Sequence, residues 1–243
     1  METRRWLDMP FEICQYGQIK VVREDLLEGG TKTRFLPFLL PERSELVFGG
    51  PFCGGAPLAL SVIGRELKQR VTIFYAKRKH RVERQQAVFR NGAQIIEVDP
   101  GYMTNVQAKA RAYAAKNGAF FLPLGFDLPA ATEPFLEAIA KVRRHLGDPP
   151  EVWCATGSGM LARCLGLAFP SSQIQAVAVG LKSRHDKQQF PANVRLREHP
   201  LDFARPTKAS APFPSCPNYD RKAWEICART ALPGAIFWNV LGE

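Results

Sequence analysis

The chain has 243 residues, with 33 lysines and arginines against 23 aspartates and glutamates, and a formal net charge of +10 at pH 7. Hydrophobic residues make up 46% of the sequence and charged residues 23%, which is typical of a folded globular protein and excludes a disordered one. No stretch approaches the roughly 20 apolar residues that span a bilayer, and the start METRRWLDMP lacks an apolar run. We therefore expect a cytoplasmic protein with no membrane partner and no secretory signal.

The six cysteines and the excess of positive charge each narrow the possible functions. No two cysteines are separated by only two or three residues, so the spacing predicts neither a zinc site nor a redox pair. We expect most of them to be small buried side chains in a reducing compartment, and we expect no metal. The net charge favours an anionic partner, such as nucleic acid or a phosphorylated ligand.

From about residue 45 onward, short apolar strings alternate with amphipathic stretches. The apolar strings cover residues 45–50, 71–76, 93–99, 119–125, 151–156, 173–180 and 235–240. The predicted helices cover residues 56–67, 82–90, 105–116, 132–146 and 220–230, and a further helix begins near residue 159. Compact apolar strands separated by helices are typical of βαβ units on a mainly parallel sheet.

Breaker residues suggest how the chain is divided. Six prolines lie between residues 191 and 217 and predict irregular connections there, and the string GDPP at 147–150 is a strong interruption. We predict two α/β lobes. The smaller covers residues 44–125, and the larger combines residues 1–43 with 126–243.

The most specific local string is VREDLLEGGTKTRFL, residues 22–36, in which a Gly29-Gly30 turn precedes Lys32 and an apolar run predicted to be helical. A phosphate-binding P-loop would need glycine directly before the lysine and another glycine five residues earlier, so that alternative fails. A lysine at a helix start, partly removed from water, has a lowered proton affinity and can act as nucleophile and base. The structural alternative is an ordinary solvated lysine.

This string closely resembles the lysine motif of fold-type II pyridoxal-phosphate enzymes, the tryptophan-synthase-β-like superfamily. It is most similar to the branch of aminocyclopropane-carboxylate deaminase and D-cysteine desulfhydrase. The resemblance implies a two-lobed α/β fold with mainly parallel sheets flanked by helices, and this chain is shorter than typical members, so we expect trimmed loops. The resemblance also implies pyridoxal 5'-phosphate as cofactor, Lys32 as the residue that forms the internal aldimine, and a homodimer.

A candidate phosphate site follows the apolar string EVWCA. Free backbone N–H groups at a helix start form an anion cradle, and the resemblance places a loop of this type in the second lobe. The residues are Thr156, Gly157, Ser158 and Gly159. Residues 157–162 also satisfy the G-x-G-x-x-A dinucleotide fingerprint. A reductase is the alternative, although residues 180–184 are basic where an acid is expected.

A second candidate group lies near the C-terminus, in PNYDRKAWE. Related enzymes carry a tyrosine, then an acid or threonine, then x-Lys-Ala, which matches Tyr219, Asp220, Lys222 and Ala223. The resemblance implies that Asp220 keeps the pyridine nitrogen protonated, so that the ring accepts electrons from a carbanion. Alternatively, Asp220 only caps the helix that follows.

The third candidate is the loop GGPFCGG at 49–55. In the resembling enzymes this loop binds the substrate carboxylate and commonly supplies an asparagine beside the cofactor's ring oxygen. Here Cys53 replaces the usual serine nucleophile and Gly54 stands at the asparagine position. The departure argues against ring-opening deamination and leaves room for a bulkier substrate. Cys53 can equally be a buried, inert thiol.

Two basic clusters follow predicted strands, at the end where α/β proteins place their ligands. The clusters consist of Lys77, Arg78, Lys79 and Arg81, and of Lys182, Arg184 and Lys187. Charge runs are usually solvated loop tips, but two basic loops at strand ends would also suit a polyanion such as DNA.

Three functions remain open on the sequence. The first is a pyridoxal-phosphate lyase that passes through an external aldimine and a quinonoid and decarboxylates an amino acid attached to thymine in DNA. This function resembles a step in the bacteriophage pathways that build hypermodified thymines. After CO₂ has left, Lys32 or Tyr219 would reprotonate the carbon. The second is a deaminase or desulfhydrase-type lyase for a small free amino acid. The third is a non-catalytic nucleic-acid-binding protein on the same fold.

Overall fold

The computed structural model describes residues 2–41, 44–179 and 190–242. The chain forms two compact units. The larger unit combines Met1–Arg34 with Thr132–Glu243, and the smaller unit is Phe35–Ala131. None of the helices in the described ranges is long and apolar enough to cross a membrane.

The elements are numbered along the chain through both units. The helices are α1 (Glu2–Asp8), α2 (Gly55–Glu66), α3 (Glu83–Arg90), α4 (Met103–Asn117), α5 (Pro129–Leu146), α6 (Met160–Ala168) and α7 (Asp220–Thr230). The strands are β1 (Ile13–Tyr16), β2 (Ile19–Arg23), β3 (Leu46–Gly49), β4 (Val71–Ala76), β5 (Gln94–Val98), β6 (Phe120–Phe121), β7 (Glu151–Thr156), β8 (Gln173–Ala178), β9 (Val194–Glu198) and β10 (Ile236–Asn239).

The sheet of the larger unit has the strand order β1-β2-β10-β7-β8-β9. Apart from the antiparallel β1–β2 hairpin, its neighbouring strands are parallel. The last strand, β10, lies between β2 and β7, with Phe237 opposite both Val21 and Trp153. The aromatic ring of Trp224 on α7 lies 5.3 Å from that of Phe237, so α7 packs on this sheet through buried apolar contacts.

The smaller unit has a four-stranded parallel sheet in the order β5-β4-β3-β6. Helix α4 packs on this sheet through Val106, Ala110 and Ala114, which contact Val47 and Phe74. The small alanine side chains, four residues apart on one face of the helix, allow it to lie close to the strands. The carboxyl ends of β3, β4 and β5 therefore lie along one edge of the sheet.

The structure agrees with most of the predicted elements and differs at three places. Strands 71–76 and 151–156 and helix 220–230 have the predicted bounds. The apolar string 119–125 forms only the two-residue β6, because Pro123 cannot continue a ladder and Gly125 has a positive φ of 78°. The helical run predicted after Lys32 is instead two short 3₁₀ segments, Thr31–Arg34 and Leu36–Phe38.

The third difference concerns strands that the sequence did not indicate. The β1–β2 hairpin turns at Gly17, whose φ is +58°, and β9 lies in the region predicted to be irregular. Polar residues in these three strands interrupt the alternation of apolar and polar positions by which a strand is recognised in a sequence. Beyond β9, residues 199–219 contain no helix or strand, as the prolines predict.

A buried ion pair fixes the segment that carries the predicted lysine motif. The guanidinium of Arg34 is fully buried and contacts the Glu24 carboxylate, with Nη2 and Oε1 2.6 Å apart. It also donates to the carbonyls of Met9 and Pro10, at 2.6 and 3.2 Å, and lies 3.6 Å from the Phe11 ring. The chain after α1 is thereby held against the lysine segment.

We predict that Arg34→Met destabilises the protein by about 3–5 kcal/mol, because it leaves the buried Glu24 carboxylate without its partner. The matched control is Arg4→Met, which breaks an exposed pair with Glu137 and should cost less than about 1 kcal/mol. Urea denaturation measures both free energies of unfolding. Equal losses in the two variants would contradict the role assigned to Arg34.

Candidate functional site

The candidate site lies at one edge of the larger unit's sheet. Strands β2, β10 and β7 are parallel neighbours, so their carboxyl ends meet at that edge. The lysine segment follows β2, Val240 follows β10, and the loop 157–159 follows β7. In parallel α/β sheets this edge is where ligands bind.

Glycine at position 30 is required by the close approach of two chain segments. Gly30 has a φ of +74°, and a Cβ placed on it would lie 2.5 Å from the Val240 carbonyl oxygen. The hydroxyl of Thr33 donates to the Gly30 carbonyl at 2.7 Å, and the Trp238 indole donates to the Thr31 hydroxyl at 3.3 Å. These contacts fix the backbone on both sides of Lys32.

The Lys32 side chain, which ends in the amine, is half-buried. Burial lowers its pKa, because a less hydrated ammonium is disfavoured, while the nearby Asp220 carboxyl acts in the opposite direction. Across the described ranges, no hydrogen bond or ion pair engages this amine. Lys32 is therefore not an ordinary solvated lysine, and its role as the reactive amine stays a prediction.

Asp220 is the first residue of α7, and it is fully buried. Its Oδ1 accepts a hydrogen bond from the Val240 N–H at 3.2 Å, whereas its Oδ2 has no partner among the described residues. Burial, reinforced by the carboxylate of Asp25, raises the pKa of Asp220 to about 7. No side-chain bond caps α7, so the helix-capping alternative does not account for Asp220.

Tyr219 lies between α7 and the loop that follows β7. Its hydroxyl is 3.4 Å from the Ala155 carbonyl oxygen, and a Cβ on Gly157 would lie 3.4 Å from the ring. Burial, with a further contribution from Asp220, raises the pKa of Tyr219, so the phenol stays neutral and can donate a proton.

The loop that follows β7 has the features of an anion site. Gly159 has a φ of +87° and directly precedes α6, and the first N–H groups of an α-helix have no acceptor within the helix. The buried Thr156 hydroxyl has no hydrogen-bond partner among the described residues. Gly157 and Ser158, which lie between Thr156 and Gly159 in the sequence, are each half-buried. A phosphate would satisfy these donors.

Cys53 and Gly54 lie in the smaller unit. Cys53 is buried, and its carbonyl accepts a hydrogen bond from the Arg84 guanidinium at 2.5 Å. Gly54 directly precedes α2, where a Cβ would lie 2.8 Å from the Pro51 ring. This loop is therefore tightly packed, and the roles predicted for both residues stay predictions.

The structure describes only one of the two predicted basic clusters. Lys77, Arg78 and Lys79 are exposed at the end of β4. Arg81 is instead paired with Glu97, its Nε 3.1 Å from Oε1. The members of the second cluster, Lys182, Arg184 and Lys187, lie outside the described residues.

Two contacts at the site were not indicated by the sequence. The backbone of Val240 contacts both Gly30 and Asp220. Asp25 forms a two-point ion pair with Arg23, each N–O distance being 2.8 Å. The acidic pair in VREDLL was the available signal for Asp25, whereas nothing in the sequence indicates a backbone contact of Val240.

No protein-family model matches the sequence, and no curated protein matches it either. Solved structures match the fold. An ACC deaminase homologue superposes with a TM-score of 0.79 at 15% identity, over 92% of this chain and 84% of that chain. A hydrogen sulfide-producing enzyme from Fusobacterium nucleatum gives 0.73 at 15%, over 99% and 97%. Diaminopropionate ammonia lyase from Escherichia coli gives 0.71 at 13%, over 100% and 87%.

These similarities confirm the predicted fold. The chain has the α/β fold of the fold-type II pyridoxal-phosphate-dependent enzymes, with parallel sheets flanked by helices.

We predict that Gly30→Ala lowers stability more than Gly17→Ala does. Both glycines have a positive φ, which costs another residue about 1 kcal/mol. Gly17 has open space around it, whereas the new Cβ at Gly30 meets the Val240 carbonyl and adds roughly 1–3 kcal/mol. Urea denaturation distinguishes them, and equal losses would contradict the close approach at Gly30.

We also predict a pH-dependent contribution from Asp220. Its pKa of about 7 lies above its ordinary value of 3.8, so the folded chain keeps a proton that the unfolded chain releases. Stability should therefore fall as the pH rises from about 4 to 7, by up to roughly 4 kcal/mol, and then level off.

Asp220→Asn should remove this slope in urea denaturation of the cofactor-free protein. The exposed Asp202, changed to asparagine, is the control and should keep it. Identical pH curves for the wild-type chain and Asp220→Asn would show that Asp220 is not a buried acid.

Proposed function

We propose that the chain is a pyridoxal-phosphate-dependent lyase whose cofactor site lies in the larger unit. The observation that supports the proposal is that three polar groups lie at one sheet edge and have no hydrogen-bond partner among the residues that the structure describes. These groups are the Lys32 amine, the Asp220 Oδ2 and the Thr156 hydroxyl. Buried polar groups are normally paired, so a site with several unpaired ones points to a ligand that pairs them.

The donors fit a phosphate-bearing heteroaromatic aldehyde. Residues 156–159 would hold the phosphate through the Thr156 hydroxyl and the N–H groups before α6. Lys32 would hold the aldehyde carbon as the nucleophilic amine. When bound, the cofactor supplies a ring that withdraws electrons from a bond at the α-carbon of an amino acid.

Asp220 would act on the ring nitrogen. One of its oxygens is held by the Val240 N–H, and the other is free to bind a proton on a ligand. The buried carboxyl gains a partner for its negative charge when that nitrogen is protonated. Asp220 is thus the residue that would favour carbanion-forming chemistry.

Two groups can move a proton to or from the substrate carbon. Burial lowers the pKa of the Lys32 amine, so the amine loses its proton more readily than a solvated lysine and can take one from the substrate carbon and return it. The neutral Tyr219 hydroxyl, beside Gly157, can donate one. We assign the transfer to Lys32 and treat Tyr219 as the second candidate.

For the substrate, we propose an amino acid carried on a base of DNA, with decarboxylation as the reaction. The net charge of +10 and the exposed Lys77, Arg78 and Lys79 support an anionic substrate, because phosphates bind such side chains. Loss of CO₂ leaves a carbanion, which is the species that Asp220 would help to stabilise.

A lyase for a small free amino acid is the second candidate. It is favoured by the structural similarity to a diaminopropionate ammonia lyase and to a hydrogen sulfide-producing enzyme. In that case the positive charge would serve another purpose.

We predict that the purified protein, incubated with pyridoxal phosphate, shows a visible absorption band that disappears in Lys32→Ala. The reason is that the aldehyde absorbs at this wavelength only when it is bonded to an amine. Lys20→Ala is the control, since Lys20 is also half-buried and belongs to the same unit. Retention of the band in Lys32→Ala would contradict the role of Lys32.

The reaction is tested by incubating the holoenzyme with DNA that carries an amino-acid-modified thymine and with the same amino acid free. Mass spectrometry of the digested nucleosides should show loss of CO₂ from the DNA-borne group only. Release of ammonia or sulfide from the free amino acid, without change to the DNA, would favour the second candidate instead.

A further inference from the structure

Three loops of the smaller unit line one edge of its sheet. Residues 50–54 follow β3, residues 77–82 follow β4 and residues 99–102 follow β5, and these strands are parallel neighbours. Backbone hydrogen bonds join the loops to adjacent strands, from Gly50 to Phe74 at 3.0 Å and from Lys77 to Val98 at 2.7 Å. We call these three loops the strand-end surface.

The strand-end surface is positively charged. Lys77, Arg78 and Lys79 are exposed, and no carboxylate among the described residues pairs with them. The Arg81 charge is neutralised by Glu97, and Asp99 is the acidic residue of the three loops. Three cations without a carboxylate partner in successive positions favour a ligand with repeated negative charges.

The same surface presents aromatic rings. Tyr102 is 84% exposed and directly precedes α4. The backbone N–H of Asn105 donates a hydrogen bond to the backbone carbonyl of Tyr102 at 2.9 Å. Its backbone is therefore fixed, whereas its ring is left in water. The guanidinium of Arg78 lies 3.7 Å from the centre of the Phe52 ring, so a flat cationic group is also held in place.

We propose that the strand-end surface binds an unpaired nucleic-acid strand, with phosphates on Lys77 and Lys79 and a base stacked on Tyr102. Exposed cations beside an aromatic platform are the combination that retains single strands, because every base has a face that can stack. In a duplex those faces are covered by neighbouring bases, so Tyr102 would have nothing to stack on. The inference deepens the proposed function, on which it rests for the group that the strand carries.

The test is fluorescence anisotropy with the holoenzyme and a labelled strand of about 16 nucleotides, compared with the blunt duplex of the same sequence. We expect the single strand to bind more tightly than the duplex. Tyr102→Ala should weaken single-strand binding about fivefold or more, and Tyr102→Phe, which keeps the ring, should restore it.

A charge-matched pair of variants tests the phosphate contacts. Lys77→Ala with Lys79→Ala should lower the slope of log affinity against log salt by about 1.4, which corresponds to two lost contacts with a single strand. Lys109→Ala with Lys116→Ala removes the same charge from the exposed face of α4 and should leave that slope unchanged.

Three results would overturn the proposal: tighter binding of the duplex, unchanged affinity in Tyr102→Ala, or equal slopes in the two lysine double variants. The visible band of the holoenzyme is recorded in the same samples. A band that depends on Lys32, together with no strand binding, would reject the strand-end surface and leave the lyase in place. Strand binding without the band would reject the lyase and leave the strand-end surface in place.

Discussion

The candidate site depends on the backbone of Val240, directly after the last strand. Its carbonyl lies so close to Gly30 that no side chain fits there, and its N–H is held by the Asp220 carboxyl. The backbone that directly follows the C-terminal strand thus contacts both the start of α7 and the lysine turn, which is far away in the sequence. Because β10 lies between β2 and β7, the same stretch also lies beside the loop 157–159.

Some of the buried polar groups at this edge lack a hydrogen-bond partner among the described residues. An unpaired buried hydroxyl or carboxyl oxygen costs a folded protein roughly 1–3 kcal/mol. Within residues 2–41, 44–179 and 190–242, Thr156 and Asp220 each carry one such oxygen, and the side chain of Lys32 is partly removed from water. Sites that keep such groups without a partner are typically functional ones, where a ligand supplies the missing contacts. The buried pair of Arg34 and Glu24 next to them is, by contrast, fully bonded and fixes the backbone.

The sequence alone was sufficient for the parts of the fold whose pattern is local. Strands β4 and β7 are short, mostly apolar runs, and the Gly29-Gly30 pair directly before Thr31 and Lys32 indicates a tight turn there. The hairpin β1–β2 was missed because Gln15 and Lys20 interrupt its apolar residues. Arg34 and Arg81 look like solvated charges in sequence, and only the fold shows that Glu24 and Glu97 pair with them. The bond between Asp220 and Val240 joins residues through backbone atoms, which no side-chain pattern records.

The most direct measurement is borohydride reduction of the protein incubated with pyridoxal phosphate, followed by mass spectrometry of its peptides. Reduction makes the bond between the aldehyde and an amine permanent, so the modified lysine identifies the reactive amine. We predict that the peptide containing Lys32 carries the added mass. Modification confined to exposed lysines such as Lys77 or Lys208, with Lys32 unmodified, would contradict it.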